Sequence, residues 1–255
     1  MNKNLLKRIV LTSAIAVLGV STSFAALVME RDQSVDTAPS VGMYRFEVPV
    51  ELQGTYNSAG VANLTASMEK EPNTLSMNVA HVKGNPSESY VVEIYKDLAA
   101  IEAHRKSDHY QAFVNEVGSK LTNRKMYDVQ SVLLFEKKDA LSIVNDGKAV
   151  VTLTEFTVDS NEIDTVQRQY QLDMERAVRD DAGYKAGYVL RERSAKHRWY
   201  GIQIYSAQDA LTKHLNSPGY RFMMSQIQGS LQGGTTKVLD GDILVNHGGQ
   251  AFVRP

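Results

Sequence analysis

Hydrophobic residues recur along this 255-residue chain in two rhythms, alternating over short stretches and returning every three or four positions over longer ones. Tyr44, Phe46, Val48 and Val50 alternate across residues 43–52 and predict a strand, as do the Val and Thr residues of 149–158. A helix follows each. In the second, Ile163, Val166, Tyr170, Met174 and Ala177 share one face, and Asp159 with Glu162 has capping-box spacing. In the first, Val61, Leu64 and Met68 predict a shorter version. Paired strands are expected at 74–82 with 89–95, turned by Gly84-Asn85-Pro86, and at 184–192 with 198–205. Short helices then run over 97–106 and beyond Ser206 and Asp209, which are spaced as a cap. Each restarts at a serine, Ser107-Asp108 or Ser217-Pro218, with proline suited to the first helical position. Tyr110, Val114, Val117 and Leu121 form an apolar face after the first restart, and Tyr220, Met224, Ile227 and Leu231 after the second. Strands at 126–136 and 236–245 close the two sets.

The two sets are copies. Ile94, Tyr95, Ala100, His104, Ser107, Tyr110 and Leu121 recur without a gap, 110 positions on, as Ile204, Tyr205, Ala210, His214, Ser217, Tyr220 and Leu231. Each unit reads β-α-β-β-α-β, a ferredoxin-like α+β arrangement whose sheet has helices on one face and an apolar face left to cover. Two such units in one chain are expected to hide those faces against each other as an intramolecular α/β barrel. The expected organisation is a signal peptide over 1–25, a first domain over 43–137, a polar linker over 138–148, a second domain over 149–246 and a tail over 247–255. Residues 27–42 and the tail read as flexible ends.

The N-terminus changes where such a protein is expected to work. Lys3, Lys7 and Arg8 precede an apolar run from Ile9 to Val20, and Ser23-Phe24-Ala25 has a small-x-small cleavage pattern. Cleavage after Ala25 predicts a soluble periplasmic or secreted protein with no membrane segment left. It removes three positive charges from a chain at −1, leaving −4. That mixed, mildly acidic surface argues against nucleic-acid binding. The chain has no cysteine, so neither disulfides nor thiolate chemistry is available.

The run Ile94-Tyr95, Ala100, His104, Ser107, Tyr110 resembles the antibiotic biosynthesis monooxygenase (ABM) family, as does the turn at Glu71-Pro72-Asn73-Thr74-Leu75. The first copy is the closer match; Asp181-Ala182-Gly183-Tyr184 is a looser version of the turn. The resemblance implies a dimeric α/β barrel and, in some members, oxidation of an electron-rich phenol or quinol by O2 without metal or flavin. No cofactor is implied. The expected partners are a small aromatic or quinol-like molecule and O2, and self-association is left open. Haem-degrading relatives carry an axial histidine where this chain has Val114 and Met224, and a tryptophan at the His104 position, so that activity is not expected.

His104 and His214 are the candidate bases, since imidazole titrates near working pH. Tyr110 and Tyr220 are placed to orient a substrate or donate a hydrogen bond. The plainer reading of either histidine is a helix-end cap. Tyr95, Tyr205, Asn78 and Trp199 are candidate substrate contacts, with packing as the alternative reading of the first two and of Trp199. His81, His109 and His197 read as surface residues, and Asp180-Asp181 as a solvated turn. There is no His-x-x-x-His pair, phosphate loop or nucleophile elbow. The alternative to a monooxygenase is an exported protein that binds a hydrophobic ligand or a protein partner without chemistry.

Overall fold

The computed structural model describes residues 38–255, so the signal sequence read at 1–25 lies outside the described residues. The first copy runs β1 (Ser40–Glu47), α1 (Gln53–Lys70), β2 (Thr74–Val82), β3 (Asn85–Tyr95), α2 (Leu98–Lys106), α3 (Asp108–Glu116), β4 (Thr122–Tyr127) and β5 (Val129–Glu136). After β6 (Leu141–Val144), the second copy runs β7 (Val150–Val158), α4 (Ile163–Asp180), β8 (Tyr184–Glu192), β9 (Arg198–Tyr205), α5 (Gln208–Leu215), α6 (Pro218–Ile227) and β10 (Leu231–Asn246). A last strand, β11 (Ala251–Val253), follows.

All strand pairings in the register are antiparallel, and the two copies complete one another's sheet. Strand β4 pairs with β1 of its own copy, while β5, its continuation past Asp128, pairs with β8 of the other. Strand β10 does the reciprocal: its first half pairs with β7 and its second half with β2. The path β5-β8-β9-β7-β10-β2-β3-β1-β4 therefore closes on itself through the chain. The ferredoxin-like units thus form an intramolecular α/β barrel, with both long strands shared between copies.

Alternation along the strands separates two cores. Inward residues from both copies, among them Met43, Val92, Ile94, Tyr188, Ile202 and Leu244, fill the barrel. Outward residues lie under the helices. In copy two these form an apolar cluster of Phe156, Val166, Tyr170, Met174, Trp199 and Ile227, joined by Val132 and Phe135 of copy one's β5. In copy one the same layer is more polar, because α1 buries Asn63 and Ser67 beside Tyr56 and Leu64.

Several expectations need correction. Helix α1 is as long as α4, each 18 residues, and it buries a face through Tyr56, Ala59, Gly60 and Asn63 that its hydrophobic pattern does not reveal. Gly60 lets α1 approach β10, since a Cβ there would stand 3.1 Å from Ile243 Cδ1. The capping box before α4 is not made: Asp159 accepts from Asn161 N instead, a local turn. Ser206 caps nothing either, since Ala207 is the N-cap of α5. Part of the stretch read as linker is β6, paired with the end of β10. Part of the tail is β11, paired with β5, and Ser40 to Gly42 already belong to β1.

Candidate functional site

The helix restart creates the site. Ser107 accepts from Tyr110 N and donates to the His104 carbonyl at 2.6 Å, so the chain bends sharply between α2 and α3. Ser217 does the same for α6 by accepting from Tyr220 N at 3.2 Å. The bend turns His104 into the layer between α1 and the outer face of β3, where it is 1% exposed. Its Nδ1 lies 3.0 Å from Glu71 Oε2, and the rings of Tyr110, Tyr95 and His109 surround it at 4.9, 5.7 and 5.9 Å. Glu71 is itself fixed: Thr74 donates to Oε2 at 2.7 Å and His109 Nε2 reaches Oε1 at 2.7 Å. His104 Nε2 and Asn63 Oδ1 are buried with no hydrogen-bond partner among the described residues.

Beneath the histidine, Tyr95 donates to Glu93 at 3.0 Å. Burial raises the Glu93 carboxyl above its ordinary range, against the opposing pull of His104, Tyr95 and Arg105. Burial likewise drives the Tyr95 and Tyr110 phenols upward. These tyrosines therefore stay protonated and can act as donors but not as bases.

Copy two uses the same scaffold differently. His214 Nδ1 lies 2.9 Å from Asp181, and its Nε2 faces Asp173 at 3.4 Å. Arg176 spans both carboxylates, at 2.9 Å from Asp173 and 2.9 Å from Asp181, and also reaches Ser217. Burial alone would raise the Asp181 carboxyl, but Arg176 and His214 outweigh it and hold it low. The guanidinium takes the space that His109 fills in copy one: the matching residue is Gly219, where a Cβ would stand 2.1 Å from Arg176 Nε. Asn63, Glu71 and Glu93 of copy one correspond at the same 110-residue offset to Asp173, Asp181 and Gln203. Copy two thus holds an internally compensated ion cluster, whereas copy one holds two histidines with one carboxylate at their centre. Nε2 of both His104 and His214 lacks a hydrogen-bond partner among the described residues, that of His214 standing 3.4 Å from Asp173.

The antibiotic biosynthesis monooxygenase profile matches residues 41–116 and again 149–225, together more than half of the chain. The chain belongs to that family. The ABM assignment covers both copies, and solved structures carry the same tandem fold in a single chain. A candidate monooxygenase from Lactobacillus acidophilus NCFM aligns with TM-score 0.77 at 19% identity, over 86% of this chain and all of that one. Another from Fusobacterium nucleatum subsp. nucleatum ATCC 25586 gives 0.75 at 19% identity over the same shares. An anthrone oxidase-like protein gives 0.50 at 12% identity, covering 87% of this chain and 98% of that one. Comparison with curated proteins returns no match. At these identities the solved structures establish the fold, and the two profile matches establish the family.

Within the ABM units, the structure gathers His104, Tyr95 and Tyr110 around one point, and His214, Tyr205 and Tyr220 around its counterpart, with rings 5.6 and 5.2 Å from His214. It separates the other two candidates. Trp199 is wholly buried in the apolar cluster under α4, its Nε1 donating to the Lys196 carbonyl, and has no face open to a ligand. Asn78 points into the barrel, where it bonds Ser76 and lines a cavity of about 20 Å3 with Tyr90, Val92 and Leu244, room for about one water. His109 is no surface residue but part of the Glu71 cluster. Asp181 is no solvated turn, whereas Asp180 is exposed and pairs with Arg179. Sequence reasoning passed over Glu71, Asn63, Glu93 and His109. The repeat held a signal for Glu71, because an acid stands 33 residues before the histidine in both copies.

Proposed function

We propose that this exported protein is a cofactor-independent monooxygenase of the cell envelope that oxidises a small quinol or related phenol with O2 in its first ABM unit. The observation behind this reading is His104: Glu71 holds Nδ1, which leaves the buried Nε2 to accept a proton. A carboxylate in that position fixes the imidazole tautomer and stabilises the imidazolium. Tyr110, kept protonated by burial, is the donor for a developing oxyanion, with Arg105 as the nearby cation. The reaction balances without an external reductant. The quinol hydroxyl gives its proton to Nε2, the phenolate passes one electron to O2, and the radical pair joins as a ring peroxide. Loss of water then leaves a hydroxyquinone, with one oxygen atom in product and the other in water.

Substrate must reach a filled space. The element that covers it is α3, which carries His109 and Tyr110 and has no buried residue. Its displacement opens the route in this reading. The same tight packing favours a second reading, in which the first unit binds a ligand or partner elsewhere and performs no chemistry. Oxygen-electrode assays with a panel of quinols, followed by mass spectrometry of products formed under 18O2, separate the two. Uptake above the uncatalysed rate with one labelled atom per product supports the first; uptake at the uncatalysed rate across the panel supports the second.

A further inference from the structure

The geometry points to a divalent transition-metal site in copy one, built from Glu71, His104 and His109. One donor atom from each residue lies within 4.8 Å of the others: a carboxylate oxygen and two imidazole nitrogens. Two of the three separations, 3.2 Å for His104 Nδ1 to Glu71 Oε1 and 2.7 Å for His109 Nε2 to the same oxygen, already approach the roughly 3.3 Å between ligands around an ion held at about 2.0–2.1 Å. The third, between the two imidazole nitrogens, lies within 4.8 Å, and His109 sits in the first turn of α3.

The surroundings suit an ion. Thr74 donates to the Glu71 carboxylate and orients it, the support that ligating carboxylates ordinarily have. Coordination through His104 Nδ1 puts the ring proton on Nε2. In copy two the residue at the Asn63 position, Asp173, stands on the Nε2 side of its histidine at 3.4 Å. By the repeat, Asn63 stands on the same side of His104, and its Oδ1 and the histidine Nε2 are two buried atoms that lack partners among the described residues. Copy two lacks such a site, because glycine replaces His109 and the Arg176 cation occupies its place. Two imidazoles and one carboxylate select zinc, cobalt or ferrous iron over calcium or magnesium, and three protein ligands leave coordination positions open.

This inference goes beyond the proposed reaction and opposes it at one atom: an ion on Nδ1 leaves Nε2 protonated, so a loaded site has no base there. The test is calorimetric titration of tag-free, chelator-treated protein with Zn2+, and with Ca2+ for comparison. One zinc per chain, no calcium, and affinity reduced at least about tenfold in both His109→Gln and Glu71→Gln but not in the surface variant His197→Gln are expected. Thermal melts of the metal-free variants establish that each is folded. Absence of zinc binding by the unaltered protein overturns the site, as does unchanged binding in folded His109→Gln and Glu71→Gln. Quinol-dependent oxygen uptake, measured in parallel, should fall on loading. Uptake that persists with one zinc bound upholds the metal site and contradicts His104 as the base.

Discussion

Arg176 shows how one side chain decides what a duplicated site becomes. It lies between Asp173 and Asp181, and without it two carboxylates under α4 face only His214. Removing one member of a buried charge group leaves the others uncompensated, typically at about 3–5 kcal/mol. Arg176→Met should therefore lose about 3 kcal/mol or more of unfolding free energy in urea, and a change under about 1 kcal/mol would contradict its compensating role. His104 and His214 were visible in the sequence because they recur in register with Ser and Tyr. Their partners were not, because acid-histidine contacts 33 residues apart depend on how α1 and α4 dock, and no local pattern encodes that. Trp199 was misplaced for a related reason: its neighbours Arg198 and Tyr200 suggest an open strand face, whereas α4 covers the side on which the indole lies.

At the scale of elements, the strands were the most legible part. The ranges read for β2, β8 and β9 coincide with those found, since alternation follows directly from a half-buried pleat. Helix ends were less so: at α4 and α5 local backbone turns replace the side-chain caps that the spacing suggested. The restarted helices differ in a way that bears on function. Helix α6 starts at Pro218 and buries Met223 and Ile227, while α3 buries no residue. Local opening is least costly where few apolar contacts are lost. Hydrogen exchange should be faster across α3 than across α6, and equal or slower exchange in α3 would remove it as the route to His104.

The pairing of β2 with β10 carries a second measurable element. His81 on β2 lies 2.8 Å from Asp242 on β10, with Asp240 at 3.8 Å. The Asp242 hydrogen bond raises the imidazole above its ordinary value, although partial burial opposes it. A raised histidine adds stability that is complete below its unfolded value near 6.5 and is lost as pH climbs through the folded value. Because the pair is partly solvated, the contribution should be under about 1 kcal/mol. His81→Gln should be less stable than the parent at pH 5.5 and equal to it at pH 9; an equal deficit at both pH values would contradict the ionic account.

For the whole molecule, duplication has produced a barrel that neither copy completes alone. The repeat made this architecture readable, but not the exchange of β5 and β10, because strand pairing between distant segments leaves no local trace. Tyr188 donates to Glu136 at 2.7 Å and contacts Ser76 at 2.9 Å, joining both copies through polar groups inside an apolar core. Burial pushes the Glu136 carboxyl up to about 7, against hydrogen bonds from Tyr188, Gln250 and Asn246. An acid that holds its proton more tightly when folded contributes most stability below its unfolded value of 4.5, and that contribution falls as pH rises towards 7. The shift corresponds to at most about 3 kcal/mol. Glu136→Gln should flatten the pH dependence between about 4.5 and 7 and leave the variant at least as stable as the parent at pH 8. Greater loss at pH 8 than at pH 4 would show that the ionised form is the one the fold uses.

The asymmetry between the copies is the centre of the functional account, and steady-state oxygen uptake in two variants tests it most directly. With a quinol that the unaltered protein oxidises, His104→Gln should lower uptake by about 10²-fold or more, the ordinary worth of a general base. His214→Gln, once shown to be folded, should keep the rate within about threefold of the parent, since its histidine serves the ion cluster and not the reaction. Equal rates in all three proteins, or a greater loss in His214→Gln, would contradict the assignment of the chemistry to the first copy.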